Sequence, residues 1–147
     1  MNKWDEYFMN VAKDTAALSK DPKTKVGAVI VKDKRLLSVG YNGAPHNFPD
    51  ELIPMTEGEG LLNQKNTYMV HAELNAILNY KGQIQDLAGS TVYVTISPCT
   101  NCVLAMSQVG IKKVIYLQEY HRTEIHNAAT KIMDKCGIKY QKFGDEE

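Results

Sequence analysis

The sequence predicts an α/β protein in three layers, with a mixed sheet of about five strands between helices. Three patterns carry that expectation. Residues 91–96, 99–109 and 113–117 read strand, helix, strand, the order of a parallel crossover unit. Residues 26–31 and 36–41 are β-rich runs joined by a short charged link, which makes them an antiparallel hairpin. Residues 2–19, 71–80 and 122–136 repeat apolar side chains at helical spacing.

In chain order, Trp4, Phe8, Val11, Thr15 and Leu18 define the apolar face of the first helix. Pro22 disfavours helix at Asp21 and closes that segment. The hairpin follows, turning at Lys32–Arg35. Residues 43–69 then hold three prolines, three glycines and little periodicity, a length that compact domains rarely spend on a loop without function. A disordered tether is the plainer reading; a wall over a site is favoured, because the loop runs directly into His71. The second helix is expected to face the core with Leu74, Ile77 and Leu78. In the fourth, Ile125, Ala129, Ile132 and Cys136 share a face, which makes Cys136 a core thiol. A strand at 138–143, parallel to its neighbour, precedes an acidic and frayed tail at 145–147.

The 147 residues suffice for one domain, 1–147, with a real core. Seventeen Lys plus Arg balance seventeen Asp plus Glu, so no electrostatic footprint for long nucleic acid is visible and such a partner is not expected. Nothing approaches the ~18 apolar residues of a membrane span, and the charged start is not a signal peptide. Three cysteines without a disulfide framework fit a reducing, cytoplasmic setting.

Chemistry concentrates in Val70-His71-Ala72-Glu73 and Ser97-Pro98-Cys99-Thr100-Asn101-Cys102. His71 offers an imidazole nitrogen, and Cys99 and Cys102 offer thiolates, the soft ligands that select zinc. The two cysteines, at i and i+3, meet on one helix face. Pro98 suits a helix start, where the dipole favours the thiolate. His71 and Glu73 are two apart and reach one centre only from the first turn of a helix. Three ligands leave a fourth position for water, whose pKa zinc lowers to roughly 7, with Glu73 beside it to move protons. Alone, the Cys pair also fits a redox couple or half a zinc knuckle, and His-x-Glu a helix surface. A closed structural site would draw a fourth ligand from His46, His121, His126 or Cys136. No second Cys-x-x-Cys or His pair completes a finger spacing. The joint His-x-Glu and Pro-Cys-x-x-Cys pattern is the signature of zinc-dependent nucleobase deaminases.

His71-Ala-Glu73-Leu-Asn-Ala-Ile with Pro98-Cys99-x-x-Cys102 resembles the cytidine deaminase-like superfamily, whose fold is a three-layer α/β/α sandwich. Ser19–Ala28, Gly40-Tyr41-Asn42-Gly43-Ala44-Pro45 and the ending Tyr120-His121 with Gly137-Ile138 narrow the resemblance to deoxycytidylate (dCMP) deaminases, over residues 4–143. It implies hydrolytic deamination of dCMP to dUMP and ammonia, supplying dUMP for thymidylate synthesis, with one catalytic Zn2+ per chain. Attack falls on C4 of cytosine, and Glu73 carries protons from the water to N3 and to the departing ammonia. By position, Asn42 would bind the sugar and the Ala72 N–H the base carbonyl. The Ser97 carbonyl would accept from the leaving amino group, and Tyr120 would stack near the base. Asn42 serving a turn and Tyr120 lying in the core are the plainer alternatives.

The resemblance also implies a homo-oligomer, often a hexamer, activated by dCTP and inhibited by dTTP. That effector, carried with Mg2+, would sit near Gly40, Tyr41, Asn42 and Gly43. Phosphate would fall to Lys20, Lys23, Lys25, Arg122 or backbone N–H groups. A tRNA adenosine deaminase shares the zinc signature but needs a basic face. A free cytidine or deoxycytidine deaminase needs no phosphate contact, and a zinc-stabilised nucleotide-binding module has no use for Glu73.

Overall fold

A computed structural model describes residues 1–55 and 57–145. The elements are α1 (Lys3–Ala16), β1 (Gly27–Lys32), β2 (Arg35–Tyr41), α2 (Ala72–Leu78), β3 (Thr91–Ile96), α3 (Thr100–Gln108), β4 (Lys113–Gln118), α4 (Thr123–Cys136) and β5 (Lys139–Lys142). The sheet order is β2-β1-β3-β4-β5. β1 pairs antiparallel with β2 and β3, whereas β3-β4 and β4-β5 are parallel. The expected hairpin, crossover and parallel last strand are all present. The hairpin turns tightly at Asp33 and Lys34, with φ of 51° and 62°, the left-handed pair that matches strand twist.

One face of the sheet packs Val29, Val31, Tyr93 and Ile115 against Phe8, Met9 and Ala12 of α1. The other packs Ala28, Ile30, Val92, Val94 and Val114 against α2, α3 and α4. The central strands are therefore buried on both faces, which is why they read as continuous apolar runs.

Three expectations are corrected. Helix α1 stops at Ala16, and its buried face is Phe8, Met9, Ala12, Thr15 and Ala16, while Trp4 and Leu18 are exposed. In α2 the core face is Ala72, Glu73, Ala76 and Ile77, and Leu74 and Leu78 are exposed. Both helices approach the sheet at a glycine. A Cβ at Gly27 would sit 2.1 Å from the Ala12 carbonyl oxygen, and one at Gly40 would sit 2.3 Å from the Ala76 nitrogen. At that separation the helix carries alanines directly over each glycine, Ala12 and Ala16 over Gly27 and Ala72 and Ala76 over Gly40. Phe8, Met9 and Ile77 pack beside the seam, and Leu18, Leu74 and Leu78 face outward. Third, Cys136 is exposed, not a core thiol. The α4 seam runs through His126, Ala129 and Met133; of the expected face Ala129 is buried and Ile132 packs against the core, whereas Cys136 ends the helix before the left-handed Gly137.

The described residues of the 43–69 segment are held by contacts rather than forming a loose tether. An antiparallel bridge joins Gly43 to Val70, and Phe48 packs on Tyr68 at 5.2 Å between ring centroids. The loop is anchored by Lys65, whose Nζ lies 2.9 Å from Asp21 Oδ2 with both side chains buried. Burial raises the Asp21 pKa, but N–H donation from Thr24 and Lys23 and the Lys65 ammonium outweigh it, leaving a net lowering. Asp21 therefore adds stability that is present above its unfolded value of 3.8 and lost as pH falls through its lower folded value. Lys65→Met should lower unfolding stability by ~3 kcal/mol in urea titration, because it strands a buried carboxylate. Of the tail, residues 146–147 lie outside the described residues.

Candidate metal and active site

The carboxyl end of β3 and the start of α2 converge on one point. His71 is the N-cap of α2 and Cys99 the N-cap of α3, with Cys102 in its first turn. His71 Nδ1 lies 3.4 Å from Cys99 Sγ and 3.4 Å from Cys102 Sγ. Among the described residues, these three form a group whose ligand atoms all lie within 4.8 Å of one another. A tetrahedral zinc with ordinary bond lengths holds nitrogen and sulfur ligands about 3.5 Å apart, so the donor set fits that ion in type and spacing. The thiols also show what a cation relieves. Donation from Cys102 holds the Cys99 thiol below its usual range, and the same sharing with Cys99 pushes Cys102 upward. The Cys99 sulfur in turn raises the His71 pKa. Without a metal the pair keeps one proton; a divalent ion takes both as thiolates.

Glu73 occupies the first turn of α2 at 5% exposure. Burial pushes its carboxyl up to about 7, with the Cys99 charge adding to the rise. A carboxyl with that value both accepts and donates protons near neutrality. The Glu73 carboxyl lies near enough to the ligand group that Cys99, His71 and Cys102 all bear on its proton affinity.

The other expected residues divide. Ala72 is fully buried at the start of α2, where first-turn N–H groups lack helical partners. Ser97 and Tyr120 are joined, the Tyr120 N–H donating to Ser97 Oγ at 2.7 Å. The Tyr120 ring is half-buried and stacks on His121 at 4.8 Å between centroids. Asn42 is buried and engaged: its Oδ1 accepts from the Val26 N–H at 2.9 Å and its Nδ2 donates to the Thr24 carbonyl at 2.8 Å. Gly40 lies under α2.

Tyr41, Asn42 and Gly43 line a cleft of about 350 Å³ that the 43–69 loop closes with Pro45, His46, Ile53 and Met69. Lys20 and Lys65 also line it; Lys23, Lys25 and Arg122 do not. Lys20 pairs with Asp50 at 3.2 Å.

Residues 2–118 match the description "Cytidine and deoxycytidylate deaminase zinc-binding region", which spans the metal ligands and Glu73. The chain belongs to the cytidine and deoxycytidylate deaminase family. It is 41% identical to mouse deoxycytidylate deaminase over 143 residues, covering 95% of this chain and 79% of that protein. It is 40% identical to the deoxycytidylate deaminase of Mycobacterium phage D29, covering 79% of this chain and 95% of that one. The crystal structure of the dCMP deaminase of cyanophage S-TIM5 in complex with dCMP and dUMP superposes with a TM-score of 0.76. It is 27% identical, and the alignment covers 97% of this chain and 99% of that one.

Deaminase membership fits the metal geometry, and it makes removal of a ligand decisive. Cys102→Ala should drop zinc from about one ion per chain to near none in elemental analysis, with a lowered melting temperature. Sequence reasoning missed Lys65 as a cleft residue and His126 as a partner of Ser97. Lys65 carried no signal beyond lying in the long loop, and His126 was visible only as a spare ligand.

Proposed function

We propose that this chain is a zinc-dependent dCMP deaminase that hydrolyses dCMP to dUMP and ammonia. The observation that carries the reading is the buried Glu73 beside a His-Cys-Cys ligand set that fits zinc. His71, Cys99 and Cys102 would hold a zinc ion, which would supply Lewis acidity toward water at the site. Glu73 takes a proton from the attacking water and delivers it to N3 of cytosine, then takes the second proton from the hydroxyl now on C4 and passes it to the amino group, which leaves as ammonia. The Ala72 N–H holds the base carbonyl, the Ser97 carbonyl accepts from the C4 amino group, and Tyr120 flanks the base. Asn42 reaches the sugar with its remaining N–H, since its other amide contacts already fix residues 24–26.

Residues 1–147 act as one deaminase domain, and 43–69 form the wall beside its site. The cleft at Tyr41, Asn42 and Gly43 takes a dCTP or dTTP effector, with Mg2+ on the triphosphate and Lys20 available for phosphate. Exposed Leu74, Leu78 and Leu104 support a homo-oligomer, a hexamer by family resemblance. A cytoplasmic setting fits the cysteines, all three of which are free thiols.

The test is ultraviolet-monitored turnover of dCMP, CMP, deoxycytidine and cytidine by zinc-loaded protein, with and without dCTP and magnesium. Selective loss of dCMP is expected, faster with dCTP. Turnover of nucleosides instead makes the chain a nucleoside deaminase. No turnover with zinc bound sinks the reading.

A further inference from the structure

Behind the metal ligands lies a histidine to which the reaction assigns no task. His126 projects from α4, is 9% exposed, and packs edge-on to Tyr116 at 5.6 Å between ring centroids. Its Nδ1 is 3.0 Å from Ser97 Oγ. Ser97 is itself buried and links two strand ends: its N–H donates to the Gln118 carbonyl at 2.8 Å, and its Oγ accepts the Tyr120 N–H at 2.7 Å. A hydroxyl that accepts from Tyr120 has its proton free to donate, and Nδ1 is the acceptor it meets. The imidazole proton then sits on Nε2, which faces Glu119 Oε1 at 3.6 Å, an electrostatic contact too long for a hydrogen bond.

We propose that His126 is a positioning residue for the deamination: by holding the Ser97 hydroxyl in one rotamer, it fixes the Tyr120 backbone and the Ser97 segment that together wall the reacting base. The inference rests on the dCMP deaminase reading for its kinetic test, but not for its structural one. Ser97 precedes the ligand Cys99 by two residues, with only the buried Pro98 between them, so a rotamer change at Ser97 has little slack to absorb it. Among the described residues, the polar partners of His126 are Ser97 and Glu119, and neither is a metal ligand or Glu73. His126 acts through Ser97 alone.

The test is a double-mutant cycle with a rescue. His126→Phe keeps the ring against Tyr116 and removes the acceptor. It should lower kcat/KM for dCMP roughly ten- to a hundredfold, the size expected of a displacement near 1 Å, with zinc content unchanged. His126→Asn places an amide oxygen where Nδ1 was and should restore most of that loss. In a Ser97→Ala background, His126→Phe should cost less than about twofold, because the hydroxyl it holds is gone. Amide hydrogen exchange gives the reading independent of turnover: the Tyr120 N–H should exchange faster in His126→Phe and near the wild-type rate in His126→Asn. Equal loss from His126→Phe with and without Ser97 overturns the proposal, as does failure of His126→Asn to rescue. If wild-type protein turns over no dCMP, the function fails while the exchange result still decides the positioning. If His126→Phe does not fold, His126→Asn against Ser97→Ala decides: fast Tyr120 exchange in both overturns it, and in Ser97→Ala alone supports it.

Discussion

Glu73→Gln should abolish deamination, lowering kcat/KM for dCMP by roughly 10³–10⁴-fold, while zinc content stays at the wild-type level. The amide keeps the shape of the buried side chain and removes the group that moves protons. Stability should hold or rise, because the wild-type carboxylate loses its hydration at 5% exposure whereas the amide has no charge to desolvate. A melting temperature at or above wild type, equal zinc and equal nucleotide binding by calorimetry would together assign the loss to chemistry. Survival of more than about a tenth of the activity would mean that another base serves the water and that the proton route is misassigned.

Gly40→Ala should damage the fold and the metal site together. The added methyl would sit 2.3 Å from the Ala76 nitrogen and 2.5 Å from the Ala72 carbonyl oxygen, both backbone atoms, so helix α2 must move. That helix is tied to β2 by Ser38 Oγ donating to the Ala76 carbonyl at 2.6 Å and Asn75 Nδ2 donating to the Tyr41 carbonyl at 2.8 Å. Overpacking against backbone costs about 1–3 kcal/mol or more, to which broken ties add. Because α2 begins at the metal ligand and carries Glu73, zinc affinity and turnover should fall together with stability. Gly27→Ala separates the two effects. Its methyl would sit 2.1 Å from the Ala12 carbonyl oxygen, beneath α1 on the opposite face of the sheet. It should destabilise comparably, yet leave the folded fraction with wild-type zinc affinity. Equal loss of zinc in both variants would contradict the role given to the α2 seam.

Element order, hairpin, parallel crossover and metal-ligand set were all legible in the chain before folding. Each of these rests on local pattern: period-2 and period-3.6 apolar runs, a short charged link, and ligand types at first-turn spacing. The His-x-Glu step also called for a helix start at that point, and α2 starts there with Glu73 in its first turn. What tertiary structure decided is where helices touch the sheet. Leu18, Leu74 and Leu78 have the apolar character of core residues and are exposed, while Ala12, Ala16, Ala72 and Ala76 are buried. Hydrophobicity ranks side chains by transfer free energy, but at Gly27 and Gly40 the backbones approach so closely that volume, not apolarity, selects the seam. The same holds for the buried Lys65–Asp21 tie and the His126–Ser97 contact. Their partners lie 44 and 29 residues apart in the chain, and no periodicity reports a contact that only folding creates.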